Sequence, residues 1–310
     1  MQSDEHTLYD ATLLERTSMT TVDTAISPST ALRTALRLAH SRALAELGLD
    51  AIGRVRFGWR DRSIGSVVEH AGARHWLRVV WARREQARGD WWTGNRDASA
   101  ITGLSKPRVL DARAWEEGPL VYRAELMSLL PGRACASTPV LERTPGLDDS
   151  WWDELQRSLE VLAAITTDRR VLDPEVMRRR ITVFFGIDIE VDQADWVPSH
   201  GDLHWNNLHR ESFALADWEA WGLAPRGYDA AFLLGHSLAV PRVADQVARR
   251  FHDDLASAGG IVSQLYVMTK LLTRTDAGEH VELVPFIHRH VGRLLGTRMP
   301  LTRSSPSHPT

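Results

Sequence analysis

Three side chains of a kind that can move a phosphoryl group stand close together late in the chain. Asp202 is followed five positions later by Asn207, and Asp217 closes the short apolar run Phe213-Ala214-Leu215-Ala216. Phosphoryl transfer needs such a set: one carboxylate to accept the proton of an attacking hydroxyl, and an amide oxygen and a second carboxylate to hold a metal on the phosphates. Each residue alone has a plainer reading. His200-Gly201-Asp202 is a common tripeptide, His200 fits a satisfied core histidine, and an isolated Asp often caps a turn. The ordered combination of Asp202, Asn207, a hydrophobic strand and Asp217 separates the two readings.

Protein kinases carry His-Arg-Asp, an Asn five residues after that Asp, and then Asp-Phe-Gly. Here Gly201 stands in place of the Arg, and Trp218-Glu219 in place of Phe-Gly. In this form, His-Gly-Asp-Leu-His, then Asn, then Asp-Trp-Glu, the stretch from Ser199 to Asp229 resembles the aminoglycoside phosphotransferase family, kinase-like proteins that phosphorylate small molecules. The resemblance implies an α+β, bilobal, protein-kinase-like fold with a small antiparallel-sheet N-lobe and a larger, mainly helical C-lobe. It implies Asp202 as catalytic base, with His200 organising the same loop rather than reacting. Asn207 and Asp217 become ligands of Mg2+, and ATP or GTP the phosphate donor. Asp229 resembles the family's acid at the start of the next helix, which hydrogen-bonds catalytic-loop backbone.

Composition bounds these expectations. The 310 residues are 43% hydrophobic and 25% charged, a balance that suits two domains or one bilobal domain with an ordinary core. The net charge of -3 gives no field toward nucleic acid or an anionic membrane. Cys135 is the single cysteine, which excludes an intramolecular disulfide and suits a reducing cytoplasm. No signal-like N-terminus and no apolar run of membrane-spanning length is found, so a cytoplasmic protein is expected.

The elements that must position the site follow from the pattern. Residues 1–26 read as a mobile segment, 27–130 as the N-lobe, 131–298 as the C-lobe and 299–310 as a flexible tail. Ser27-Pro28 opens a helix whose Leu32, Leu36, Ala39, Ala43, Leu44 and Leu47 recur at helical spacing until Gly48. Ile52–Phe57 is a strand. Gly58–Gly65 is a glycine-bounded loop, and Ser66–Glu69 with Trp76–Trp81 forms a hairpin around Ala71-Gly72-Ala73. Val121–Gly132 is a strand running into a connection at Pro131-Gly132. After it come helices over Trp151–Ile165, capped by Asp149 or Ser150, and from Asp173-Pro174 onward, with Arg178-Arg179-Arg180 on a solvated face.

The resemblance places a nucleotide among these elements. The loop after the first strand, including Ser63, would cover the phosphates, although two glycines in a polar loop equally describe an ordinary turn. Arg78 stands where the third kinase strand has Lys, and a guanidinium can grip phosphate oxygens bidentately. Its acid partner falls at Asp97 in the helical stretch Trp92–Leu104, with an exposed helix-face Asp as the alternative. By analogy alone, the Ser128 carbonyl and the Leu130 amide would contact adenine, with Met127 lining the pocket. Trp218 reads as core. Trp205 reads as a wall of the acceptor pocket and Glu219 as a residue facing substrate or metal. The resemblance implies a small hydroxylated acceptor, an antibiotic or another metabolite; the balance of acids and bases between Asp229 and Leu295 does not demand a polycationic one. Two rival readings stay open: a metal-dependent hydrolase built on His200, Asp202, His204 and His209 with Asp217, and a catalytically inactive kinase-like nucleotide-binding protein.

Overall fold

The computed structural model describes residues 28–296. The expected segments 1–26 and 299–310, and the cap at Ser27, lie outside the described residues. The chain forms two compact units, residues 28–102 with Lys106–Leu130, and Gly103–Ser105 with residues 131–296.

In the first unit, α1 (Pro28–Leu47) covers a five-stranded antiparallel sheet of order β1-β2-β3-β5-β4. The strands are β1 (Asp50–Phe57), β2 (Ser63–His70), β3 (Ala73–Arg83), β4 (Val109–Glu117) and β5 (Leu120–Ser128). Leu36, Ala39 and Ala43, three and four residues apart, share one helix face and bury against Ile64, Val68, Leu77 and Val79. Ala71 and Gly72 both take positive φ, 51° and 76°, the two-residue turn whose twist matches the strands it joins. The expected loop Gly58–Gly65 is shorter in the structure. A single 3-10 turn (Trp59–Asp61) occupies it, and Ile64 and Gly65 belong to β2.

Helix α2 spans Gly89–Ala98, not the expected Trp92–Leu104. Ser99 ends it: its hydroxyl donates to the Asn95 carbonyl at 3.1 Å and accepts from the Val109 amide at 2.9 Å, which turns the chain into β4. Asp97 therefore lies in the last turn of this helix.

In the second unit, Asp148, not Asp149 or Ser150, caps α3 (Asp149–Ala163), accepting from the Trp151 amide at 2.9 Å. Asp173 caps α4 (Pro174–Phe185) through the amides of Glu175 and Val176. The arginine run there is not a purely solvated face. Arg178 pairs with Glu175 and Asp188, but Arg180 donates to Thr273 Oγ1 at 2.6 Å. Two small ladders follow, β6 (Trp196–Ser199) with β9 (Gly222–Pro225) and β7 (Leu208–His209) with β8 (Ala214–Leu215). Helices α5 (Tyr228–Gly235), α6 (Pro241–Arg250), α7 (His252–Ala256), α8 (Ala258–Asp276) and α9 (Val284–Leu294) complete the unit. Helix α5 is buried along its whole length and packs on α8, which explains its unbroken apolar run. No helix among the described residues is long and apolar enough to cross a membrane.

Candidate active site

Strand β6 delivers the chain to His200-Gly201-Asp202, and the two ladders fold the following residues back over it. Asp229, buried in the first turn of α5, accepts from the amide of His200 at 2.7 Å and from that of Gly201 at 2.9 Å, one on each carboxylate oxygen. The start of a helix favours an acid there. Burial nonetheless pushes its pKa up to about 6; the two amides pull the other way, and the neighbouring charge of Asp202 adds to the rise.

Because the folded chain holds the Asp229 proton more tightly than the unfolded one, protonation contributes stability. That contribution is full below the ordinary value of 3.8 and is lost as the pH rises through about 6. Buried His200, His236 and His290, whose folded pKa values lie below the ordinary value, lower the stability of wild type and variant alike toward acid. The difference therefore carries the signal: between pH 7.5 and pH 5 the denaturant midpoint of Asp229→Asn should fall more steeply toward the acid side than that of the wild-type chain. An unchanged slope in the variant contradicts the assignment.

Within the loop, His200 is fully buried, which takes its pKa down to about 4 and keeps the ring neutral at physiological pH. Its Nε2–H donates to the Ala216 carbonyl at 2.9 Å, and its Nδ1 accepts from the Asp202 amide at 3.4 Å. This histidine shapes the loop. Burial alone would raise the pKa of Asp202. The attraction and hydrogen bonding of His204, 3.4 Å away, outweigh it, with Lys270 and Arg274 adding to the pull, so the carboxylate stays ionised well below the usual range.

Asn207 donates its Nδ2–H to the Asp202 backbone carbonyl at 3.0 Å and to the Asp202 carboxylate at 3.3 Å. Its own carbonyl accepts from the Ala216 amide at 2.8 Å. Ala216 is thus gripped by His200 on one side and Asn207 on the other, which fixes where the next residue leaves β8. That residue, Asp217, is exposed and takes a left-handed φ of 59°, unusual for any residue but glycine and a mark of sites where backbone geometry serves a task. Asn207 and Asp217 flank the two-residue ladder of β7 with β8, and the side chain of each carries oxygen. Hard oxygen donors of this kind suit Mg2+.

Other expected residues sit differently. Trp205 is wholly buried rather than walling a pocket. Its Nε1–H donates to Ser237 Oγ at 2.9 Å, and its ring packs on Trp151 and Trp152. Trp218 is also buried, its indole bonded to the Leu215 carbonyl. Glu219 is half-buried just beyond Asp217. His209 donates its Nδ1–H to the Pro131 carbonyl at 2.7 Å, and among the described residues no group of three or more His, Cys, Asp or Glu side chains is disposed to hold a metal. The hydrolase reading lacks its ligand cluster there.

In the first unit, the Glu125 carboxylate lies 3.6 Å from Arg78 Nη1. Asp97 accepts from the Thr93 hydroxyl at 2.5 Å and lies 3.6 Å from Arg96. Ser63 opens β2, beside a turn that spends the amides of Gly58, Asp61 and Arg62 on its own carbonyls. Met127 is buried in β5. Ser128 ties both its amide and its hydroxyl to the Arg108 backbone, and Leu130 is half-buried two residues further on. Glu125 went unremarked in the sequence, and so did Lys270 and Arg274 as a charge pair near Asp202. Only the alternation of Arg123 and Glu125 along one strand pointed to the former.

No sequence-family model matches the chain, and no curated protein does. Solved structures are similar in fold. The apo form of a thermostable mutant of aminoglycoside phosphotransferase APH(4)-Ia is 14% identical, with a TM-score of 0.54 over 83% of this chain and 98% of that one. A further mutant of that protein, in a ternary complex with AMP-PNP and hygromycin B, is 15% identical with a TM-score of 0.53, covering 83% and 98%. A putative aminoglycoside phosphotransferase from Ralstonia eutropha is 13% identical with a TM-score of 0.50, covering 80% and 94%. The chain has the protein-kinase-like α+β fold of the aminoglycoside phosphotransferases, the fold its Ser199–Asp229 stretch implied.

Proposed function

We propose that the chain is a small-molecule kinase, moving the terminal phosphoryl group of ATP or GTP to a hydroxyl of a small molecule. The observation that carries this reading is the ionised Asp202 carboxylate, joined to Asn207 and held by the same loop that fixes Asp217. The similar fold of a phosphotransferase solved with AMP-PNP and hygromycin B supports the nucleotide and the small-molecule acceptor.

Asn207 and Asp217 would hold Mg2+, which neutralises charge on the phosphates when bound. Asp202 orients the acceptor hydroxyl and takes its proton late, a task for which an ordinary ionised carboxylate suffices. His204 keeps that carboxylate ionised, and Asp229 keeps the loop backbone in place. Arg78 contacts phosphate oxygens, and Met127, Ser128 and Leu130 serve the adenine. Most of the acceleration comes from positioning and charge neutralisation rather than covalent participation.

Calorimetric titration with ATP in the presence and absence of magnesium tests the reading. The wild-type chain should bind magnesium ATP, and Asp217→Ala should weaken that binding by about tenfold or more, the loss of one metal ligand. Binding that is indifferent to magnesium, or unaffected by Asp217→Ala, contradicts the proposal.

A further inference from the structure

Strand β5 carries two opposite charges into the interior of the first unit. Arg123 and Glu125 occupy alternate positions and so leave the strand on the same side. Glu125 is also the register partner of Arg78 on β3. Directly opposite residues of antiparallel strands meet side chain to side chain. The Glu125 carboxylate is wholly buried and serves both arginines: Oε1 lies 2.9 Å from Arg123 Nε, and Oε2 lies 3.6 Å from Arg78 Nη1. Helix α2 reaches the same acid through Asn95, whose Nδ2–H donates to Oε2 at 3.0 Å, while the Arg123 guanidinium lies 4.3 Å from the Trp92 ring.

The cluster has an inside and an outside. Side-chain exposure is 1% for Glu125, 9% for Arg123 and 15% for Arg78, so Arg78 is its outermost charge. A buried carboxylate shared between two cations fixes both. Without it the two guanidinium groups lose the negative charge they share, and their mutual repulsion at low dielectric goes unopposed by it.

We propose that Glu125 is the positioning residue for Arg78. An acid of the adjoining strand then aims the phosphate-contacting arginine, and helix α2 reaches that acid through the neutral Asn95. This inference rests on the phosphotransferase reading and deepens it. Arg123, stacked on Trp92, anchors the inner side of Glu125, and Arg78 presents its guanidinium from the outer side.

A double-mutant cycle tests it. Affinities of the wild-type chain, Arg78→Ala, Glu125→Gln and the double variant are measured by calorimetry for magnesium ATP, magnesium GTP and the corresponding nucleosides. Circular dichroism and thermal midpoints check folding. Glu125→Gln should weaken triphosphate binding about tenfold, leave nucleoside binding unchanged, and cost nothing further in the Arg78→Ala background. A merely structural role would weaken nucleoside and triphosphate alike and would add to the loss from Arg78→Ala; either result overturns the assignment. Glu125→Asp, which keeps the charge, covers the case in which Glu125→Gln does not fold. It should retain most of the triphosphate affinity, and a loss shared equally with the nucleosides overturns the proposal. If the wild-type chain binds no magnesium nucleotide, the phosphotransferase reading itself fails. If it binds and Asp202→Asn abolishes turnover while the cycle is additive, only the role of Glu125 fails.

Discussion

Asp202→Asn is expected to lower turnover by about a thousandfold, the scale of a lost general base, while leaving the affinity for magnesium nucleotide within about twofold. The substitution is nearly isosteric. The Asn207 amide and His204, which address the side chain at 3.3 Å and 3.4 Å, still meet an oxygen, and the backbone bond from Asn207 to the residue-202 carbonyl is untouched. What is removed is the negative charge that orients the acceptor hydroxyl and receives its proton. Since the surroundings of Asp202 hold its pKa far below the usual carboxylate range, it remains ionised throughout the physiological span. The acid limb of a pH–rate profile near neutrality would therefore not belong to it. Turnover within tenfold of wild type, or an equal loss of nucleotide affinity, contradicts the role.

Gly201→Ala is expected to cost roughly 3–5 kcal/mol of stability, combining a strained left-handed backbone with a steric clash. Gly201 has a φ of 82°, and a Cβ there would lie 2.1 Å from the Ala220 carbonyl oxygen and 2.8 Å from its carbon. Both are backbone atoms, so no side chain can swing aside. The same approach gives a physical reason why this chain has glycine where protein kinases have arginine: the segment after Asp217 passes directly against the loop. For a unit of this size, a loss on that scale lowers the thermal midpoint by about 10 °C. Residual folded protein should also have lost turnover, since the Gly201 amide is one of the two held by Asp229. A thermal midpoint within about 2 °C of wild type would show that the loop is not locked as described.

Much of the site was legible because its relations are local. Asp202, Asn207 and Asp217 fall within one short stretch, and a two-residue ladder, β7 with β8, suffices to bring the Asn207 carbonyl to the Ala216 amide. Amphipathic spacing likewise announced α1, and Asp173-Pro174 announced α4. Relations between distant segments were not legible. Glu125 meets Arg78 through strand register, which a single sequence does not state, and an acid in a buried strand is rare enough to pass unremarked. Trp205 was placed by its neighbours in the loop, yet tertiary contacts with Trp151, Trp152 and Ser237 decided its burial. Edge strand β4, with most of its residues exposed or half-buried, lacks the apolar alternation that marks a strand. Helix α2 ended early because the Ser99 hydroxyl found partners on both sides, a competition that propensity does not foresee.

The most direct test of the central claim is phosphorus NMR of magnesium ATP incubated with a panel of hydroxylated small molecules and either the wild-type chain or Asp202→Asn. The account predicts a new phosphomonoester resonance growing with that of ADP in the wild-type sample and absent from the variant. ATP that stays intact with the wild-type chain across the whole panel, or a phosphomonoester formed equally well by Asp202→Asn, would contradict it.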